Sequence, residues 1–168
     1  MIYVLYGQPA SGKTTLGRSL ADHLNTPFII DGDEFREMFS NKKYDKEGRI
    51  KNIQNANMVA TYLNRKGQQG DWKAIYIDAV NGWKGHTINS ETDVVMCLVN
   101  PYNALRKELK QLNPNGVLEV YLKSKRNLRK KYHVNDFEVG TPNYALSTDT
   151  ESGESWKLLK KMLFNEMS

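Results

Sequence analysis

The chain has 168 residues, 39% of them hydrophobic, enough to bury one core without disulfides or metals and too few for a second full domain. Its 24 lysines and arginines against 19 aspartates and glutamates leave a formal charge of +5, which favours anionic partners without separating nucleotides from nucleic acid. The single cysteine, Cys97, excludes an intramolecular disulfide. With no basic leader at Met1 to Tyr6 and no run of eighteen apolar residues, the expectation is a soluble cytoplasmic chain without a membrane partner.

The pattern opens as strand, glycine turn and helix: Ile2 to Tyr6, the loop from Gly7, then Lys13 to Leu24 with Leu16, Leu20 and Leu24 at helical spacing. Pro27 to Ile30 reads as a second buried strand ending in Asp31-Gly32-Asp33, followed by a short helix over Glu34 to Phe39. A long helix is expected from Glu47 to Arg65, with Ile50, Ile53, Met58, Val59 and Tyr62 on its buried side. Lys73 to Val80 reads as a strand and Asn81-Gly82 as a hairpin-turn pair, so 70–91 is taken as an inserted β-hairpin or flap; the competing reading makes Ala74 to Val80 a core strand. Three more strands follow, Val94 to Val99, Val117 to Leu122 and Tyr144 to Ser147. Helices over Ala104 to Leu112, Lys125 to Lys131 and Ser155 to Asn165 fall between and after them, the last with a core stripe of Trp156, Leu159, Met162 and Leu163. Alternating strands and helices predict an α/β fold, one P-loop domain over 1–168 with a mainly parallel sheet between two helical layers.

Gly7-Gln8-Pro9-Ala10-Ser11-Gly12-Lys13-Thr14 matches the full phosphate-loop pattern between a strand and a helix. Backbone N–H groups around Ser11 to Thr14 suit a β-phosphate at the positive end of the helix. Lys13 can reach the β and γ oxygens, and the Thr14 hydroxyl can ligate magnesium. Gly7, Ala10, Ser11, Gly12, Lys13, Thr14 and Thr15 are therefore the expected ATP-binding set, and ATP and magnesium the expected cofactors. His23, His86 and His133 have no metal-ligand spacing and there is no Cys-x-x-Cys, so no structural zinc is expected.

Asp31 and Asp33 fall at the end of the second strand, beside the loop. One can orient magnesium through water and the other can accept the proton of an acceptor hydroxyl, with Asp33 the favoured base. Asp-Gly-Asp also suits a plain turn with a helix N-cap. Arg36, on the same helix, offers a bidentate grip on an anion. The basic run of Lys123, Lys125, Arg126, Arg129, Lys130 and Lys131 reads either as a solvated helix face or as a lid over 123–137 that excludes water from the γ-phosphoryl, with Arg126 and Arg129 on ATP.

At this point the sequence resembles the adenylylsulfate kinases, which phosphorylate the 3′-hydroxyl of adenosine 5′-phosphosulfate (APS). The resemblance rests on the P-loop, on Asp31-Gly32-Asp33 with Arg36, on Tyr44 followed by Arg49, Asn52 and Ile53, and on Asn100-Pro101-Tyr102 with Arg106. Leu128-Arg129-Lys130-Lys131 is similar to the family's lid helix, and Thr148-Asp149-Thr150 to its last strand ending. The resemblance implies that Arg36, Arg49 and Asn52 hold the acceptor's phosphosulfate and ribose, with Asn100, Pro101 and Tyr102 beside them. It also implies that Tyr44 stacks on the base and that Phe137 is a second clamping aromatic. Pairing as a homodimer and a place in sulfate assimilation follow from the same resemblance. Four departures sit around acceptor and lid: Ala10 for a glycine, Gly48 for an aspartate, Asn103 for an arginine, and a shortened Lys131 to Phe137 segment.

The sequence thus predicts a kinase passing the γ-phosphoryl of MgATP to a hydroxyl of a small anionic, nucleotide-like acceptor, with APS the leading candidate. Two other readings stay open: a kinase of a nucleoside, a nucleotide or a hydroxymethyl base in DNA, and a non-catalytic nucleotide-binding module.

Overall fold

The computed structural model of the chain describes residues 1–68, 72–78, 82–88, 93–126 and 130–166, and for 67–68, 72–78, 82–88 and 152 the backbone alone. In chain order the elements are β1 (Ile2–Tyr6), α1 (Lys13–Leu24), β2 (Ile29–Asp31), α2 (Gly32–Met38), α3 (Lys46–Gln68), β3 (Trp72–Asp78) and β4 (Gly82–Ile88). Then come β5 (Val94–Leu98), α4 (Asn103–Leu112), β6 (Val117–Lys123), a single 3₁₀ turn at Lys130–Tyr132, β7 (Tyr144–Ser147) and α5 (Ser152–Phe164).

Five strands form one sheet in the order β2-β5-β1-β6-β7, every neighbouring pair parallel. All five residues of β1 are buried, because a central parallel strand is covered on both faces. Their alternation divides the core. Ile2, Val4 and Tyr6 pack with Phe35, Ile53, Ala56, Ala60 and Leu109 from α2, α3 and α4, while Tyr3 and Leu5 pack with Leu16, Leu20 and Leu159 from α1 and α5. The three-layer α/β architecture expected from the sequence is therefore the observed one. Trp156, Leu159, Met162 and Leu163 all join the second core.

Several local expectations are corrected. Met58 and Tyr62 on α3 point outward, 59% and 57% exposed, and the buried stripe instead runs through Ile53, Ala56, Asn57, Ala60, Thr61 and Asn64. Small and amide side chains win these places because α3 lies close to α4. There Asn57 Nδ2 donates to Leu105 O, and Asn64, Thr61 and Asn113 bond one another across the seam. Of the expected basic helix over 125–131, the described residues 125 and 126 are irregular and 130–132 form the 3₁₀ turn, while 127–129 lie outside the described residues. The second strand begins two residues later and ends one later than expected, as Ile29–Asp31.

β3 and β4 pair antiparallel in a two-stranded sheet of their own, so the reading of Ala74 to Val80 as a strand of the main sheet is overturned. The side chains of Trp72, Tyr76 and Trp83, expected to pack, lie outside those described.

Parallel strands bring their carboxyl ends to one side, and β1, β5 and β2 release the phosphate loop, Asn100 and Asp31 there. The first loop N–H, that of Gly7, donates to Val99 O at 3.3 Å, tying the loop to the end of β5. Such a crevice at the strand ends is where open α/β sheets bind ligands.

Candidate active site

The loop owes its path to three residues. A Cβ on Gly7 would lie 2.4 Å from Leu122 O, so only glycine fits between β1 and β6. Gly12 and Ala10 both take positive φ, 87° and 63°; Ala10, which stands where the resembled family has glycine, pays conformational strain for it. Gly12 is the N-cap of α1, and Lys13 and Thr14 open the helix, aiming its free N–H groups at the crevice. The buried Lys13 ammonium donates to Gly7 O, Gln8 O and Ser11 Oγ at 3.1, 2.7 and 3.1 Å.

Asp31 does two jobs. Its Oδ1 accepts from the N–H groups of Asp33 and Glu34, capping α2, while its Oδ2 accepts from the Thr14 hydroxyl at 2.9 Å. The helix cap raised from sequence is therefore observed, and the same carboxylate also meets the phosphate loop. Asp33 sits in the first turn of α2, exposed, on the wall of the adjoining cavity. A hydroxyl and a carboxylate in contact at the end of a phosphate loop form a hard oxygen donor set that fits magnesium.

That cavity holds about 470 Å³ and is continuous with the loop. Pro9, Ala10 and Lys13 form one side; Asp31, Asp33, Arg36, Arg49 and Asn52 form another; Asn100 and Pro101 close the β5 end, and Tyr44, Tyr132 and Val134 the outer wall. The Arg36 guanidinium lies 4.1 Å over the Tyr44 ring and donates to Lys43 O at 2.6 Å. Burial pulls its pKa below the usual arginine range, against the pull of Tyr44 and Asp33 and together with the neighbouring Arg49. Two partly desolvated cations side by side are stabilised by an anion.

Two amides point to a ligand more directly. Asn52, 5% exposed, donates to Gly32 O at 3.2 Å, but its Oδ1 has no partner among the described residues; Asn100, 1% exposed and at φ 48°, has none there for Oδ1 or Nδ2. Buried polar atoms without partners cost about 1–3 kcal/mol each, so on a cavity wall they leave hydrogen-bonding edges that another molecule could satisfy.

Other expected site residues fall elsewhere. Phe137 stacks on Tyr6, centroids 6.3 Å apart and planes 7° from parallel, and belongs to the core rather than to the cavity wall. The aromatic beside Tyr44 on the cavity wall is instead Tyr132, whose ring lies 4.8 Å from that of Tyr44. Tyr102 is buried and not on the cavity wall, with Lys46 Nζ 5.4 Å from its ring. Arg106 is 1% exposed and holds Asn100 O, Glu138 O and Val139 O. Arg126 and Thr15 line a separate recess of about 70 Å³ beside Gly12, with Thr148, Thr150 and Ser155, and Arg126 Nη2 donates to Thr148 O at 2.6 Å. Arg129 lies outside the described residues.

Residues 6–111 match the family described as AAA domain. The chain belongs to that family. A cytidine diphosphoramidate kinase of Campylobacter jejuni is 37% identical to this AAA-domain chain over 67 residues, 38% of this chain and 39% of that protein; the match thus spans well under half of that relative. An APS kinase of Mycobacterium tuberculosis, solved in complex with AMPPNP and APS, superposes with a TM-score of 0.68 at 14% identity, over 96% of each chain. A shikimate kinase of Acinetobacter baumannii in complex with shikimate superposes with a TM-score of 0.58 at 18% identity, over 99% of this chain and 95% of that one. At such identities the likeness is one of fold.

Gly48, which departs from the resembled family, has a local reason within this AAA-domain chain. A Cβ there would lie 2.0 Å from Lys43 O, because the 41–45 loop folds against the start of α3, held by Asn41 Nδ2 on Gly48 O and by Gly48 N–H on Asp45 Oδ1. That loop carries Tyr44 to the outer wall. Tyr132 and Val134, both on the cavity wall, escaped the sequence reading. The only signal for Tyr132 was an aromatic inside a basic run, and Val134 had none. No helix among the described residues is long and apolar enough to cross a membrane.

Proposed function

We propose that this chain is an ATP-dependent phosphotransferase acting on a hydroxyl of a small, anionic, nucleotide-like acceptor. One observation carries the reading: a cavity continuous with a complete phosphate loop is walled by two carboxylates, two arginines and two buried amides with unpartnered atoms. Lys13 and the α1 N-terminus bind the donor phosphates, and Asp33 orients the acceptor hydroxyl toward the γ-phosphoryl. The transition state of phosphoryl transfer is loose, so positioning and charge carry most of the catalysis. Thr14 and Asp31 would hold magnesium, which would offset charge on the β and γ oxygens. Arg36 and Arg49 grip the acceptor's anion, Tyr44 and Tyr132 face its base, and Asn52 and Asn100 bond its polar edges.

Two acceptors compete. APS follows from the pattern of Arg36, Tyr44, Arg49 and Asn52, and would put the chain in sulfate assimilation. Cytidine diphosphoramidate is favoured by the 37% identity over 67 residues to the Campylobacter kinase. Both are nucleotides with an anionic group on the 5′ side.

ADP release with MgATP is the test, run with APS, cytidine diphosphoramidate, nucleosides and hydroxymethyl-containing DNA, and with Lys13→Ala as the blank. Release that needs one of the two nucleotides and is lost in the blank supports the reading and selects the acceptor. Release with DNA alone moves the acceptor to nucleic acid, with affinity falling steeply in salt. Silence throughout, with nucleotide still bound, leaves a nucleotide-binding module.

A further inference from the structure

Gln8 occupies a variable position of the phosphate loop, where phosphate binding itself requires no amide. Its Nε2 donates to Val134 O at 2.8 Å and its Oε1 accepts from Val134 N–H at 3.0 Å. One carboxamide thus makes both bonds to the main chain of a single residue, which fixes that residue in distance and in rotation. The pairing also fixes which amide atom is nitrogen, because the reverse would set donor against donor.

Val134 is 2% exposed and lines the cavity. Two residues earlier, Tyr132 meets Tyr44; just beyond, Phe137 and the carbonyls of Glu138 and Val139 are anchored on Tyr6 and Arg106. Between those anchors, the Gln8 amide makes the side-chain bonds that join this wall to the loop. The carbonyl of Gln8, meanwhile, accepts from Lys13 Nζ at 2.7 Å. The residue therefore touches the phosphate-binding lysine through its backbone and the acceptor wall through its side chain.

We infer that Gln8 is a positioning residue that sets the wall from Tyr132 to Val134 against Lys13 and the phosphate loop, so that nucleotide bound at the loop and acceptor bound in the cavity are coupled through this side chain. The acceptor half of the statement rests on the function proposed above; the coupling needs nucleotide binding alone. Losing the amide leaves the buried N–H and C=O of Val134 without partners, and the wall then shifts to regain them.

The test uses Gln8→Met, which keeps the length and loses both bonds, and Gln8→Glu, which keeps an acceptor for Val134 N–H and loses the donor. Hydrogen exchange of the Val134 amide is followed with and without magnesium-AMPPNP, with Met96 in β5 as the internal reference. In the wild-type chain the analogue slows exchange at Val134; in Gln8→Met the amide exchanges about tenfold faster and no longer responds, while Met96 is unchanged. With an acceptor in hand, Gln8→Met raises the acceptor KM about tenfold with the ATP KM within about twofold, and Gln8→Glu falls between. An equal analogue response in wild type and Gln8→Met, or no response at Val134 in wild type, overturns the inference. Should Gln8→Met fail to fold, Gln8→Glu carries the same comparison. A response lost in the variant together with no turnover of any acceptor upholds the coupling and overturns only the proposed function.

Discussion

The Thr14 hydroxyl donates to Asp31 Oδ2 at 2.9 Å while the other oxygen of that carboxylate caps α2, so one side chain joins the phosphate loop to the helix that carries Asp33 and Arg36. Asp31→Ala loses the cap and costs about 1 kcal/mol of stability. Asp31→Asn keeps an acceptor for the cap and costs a few tenths at most. Both variants lower phosphoryl transfer by about a hundredfold or more, because both lose the charge beside Thr14. Urea midpoints and ADP release measured on the two variants separate the roles, and full turnover in Asp31→Asn would show that the charge is not used.

Asp33 is exposed in the first turn of α2, so its replacement by the isosteric amide is expected to leave the fold intact. Asp33→Asn is expected to lower turnover by about 10²- to 10⁴-fold at an unchanged melting temperature. Turnover equal to wild type would remove Asp33 from the reaction and leave Asp31 as the candidate base.

Loop conformation and loop space are separable at two positions. Ala10→Gly relieves a φ of 63° and is expected to raise stability by a few tenths to about 1 kcal/mol, with nucleotide binding kept. Gly7→Ala drives a Cβ to 2.4 Å from Leu122 O and is expected to lose both stability and nucleotide affinity. Thermal melts with and without magnesium-ATP compare the pair.

Gly17 on α1 meets β5 so closely that a Cβ would lie 2.1 Å from Cys97 Sγ. Gly17→Ala is expected to cost about 1–3 kcal/mol by overpacking, and Cys97→Ala in the same chain to restore part of it. A double-mutant cycle from denaturant unfolding reads the coupling; strictly additive effects would mean that the helix moves away instead.

Stability at high pH follows from Tyr6. Burial first, with Glu119 and Tyr121 adding and Arg106 opposing, pushes its pKa from 10.0 up to about 12; burial and then Asp93 do the same for Tyr3. A raised phenol pKa means that the folded chain keeps a proton which the unfolded chain loses. The contribution is complete below pH 10.0 and is lost as pH rises through about 12. Urea midpoints should fall across that window, and Tyr6→Phe, which also forfeits the bond from its hydroxyl to Val139 O, should start lower and fall less steeply.

Much of the fold was legible because its signals are local. The unbroken apolar run of β1, the helical spacing of Leu16 and Leu20, and the glycines and lysine of the loop each act over a few residues. The long helix was legible in extent but not in facing: Met58 and Tyr62 are more apolar than Asn57 and Asn64, yet the amides are inside, since only α4 supplies their partners. Phe137 misled for the same reason. Its hydrophobicity was readable, but whether it clamps a ligand or stacks on Tyr6 depends on where β1 runs.

By itself the sequence determined a three-layer α/β chain with a phosphate loop at Gly7 to Thr14, and it named most of the cavity wall: Asp31, Asp33, Arg36, Tyr44, Arg49, Asn52, Asn100 and Pro101. Tertiary structure alone decided that Asp31 faces Thr14 while capping α2, that Tyr132 rather than Phe137 meets Tyr44, and that Gln8 holds Val134 across 126 residues of chain. Propensity and motif chemistry are carried by neighbours in sequence. Partners for buried amides and carbonyls are set by which strands lie side by side, and a parallel sheet brings together residues far apart in the chain.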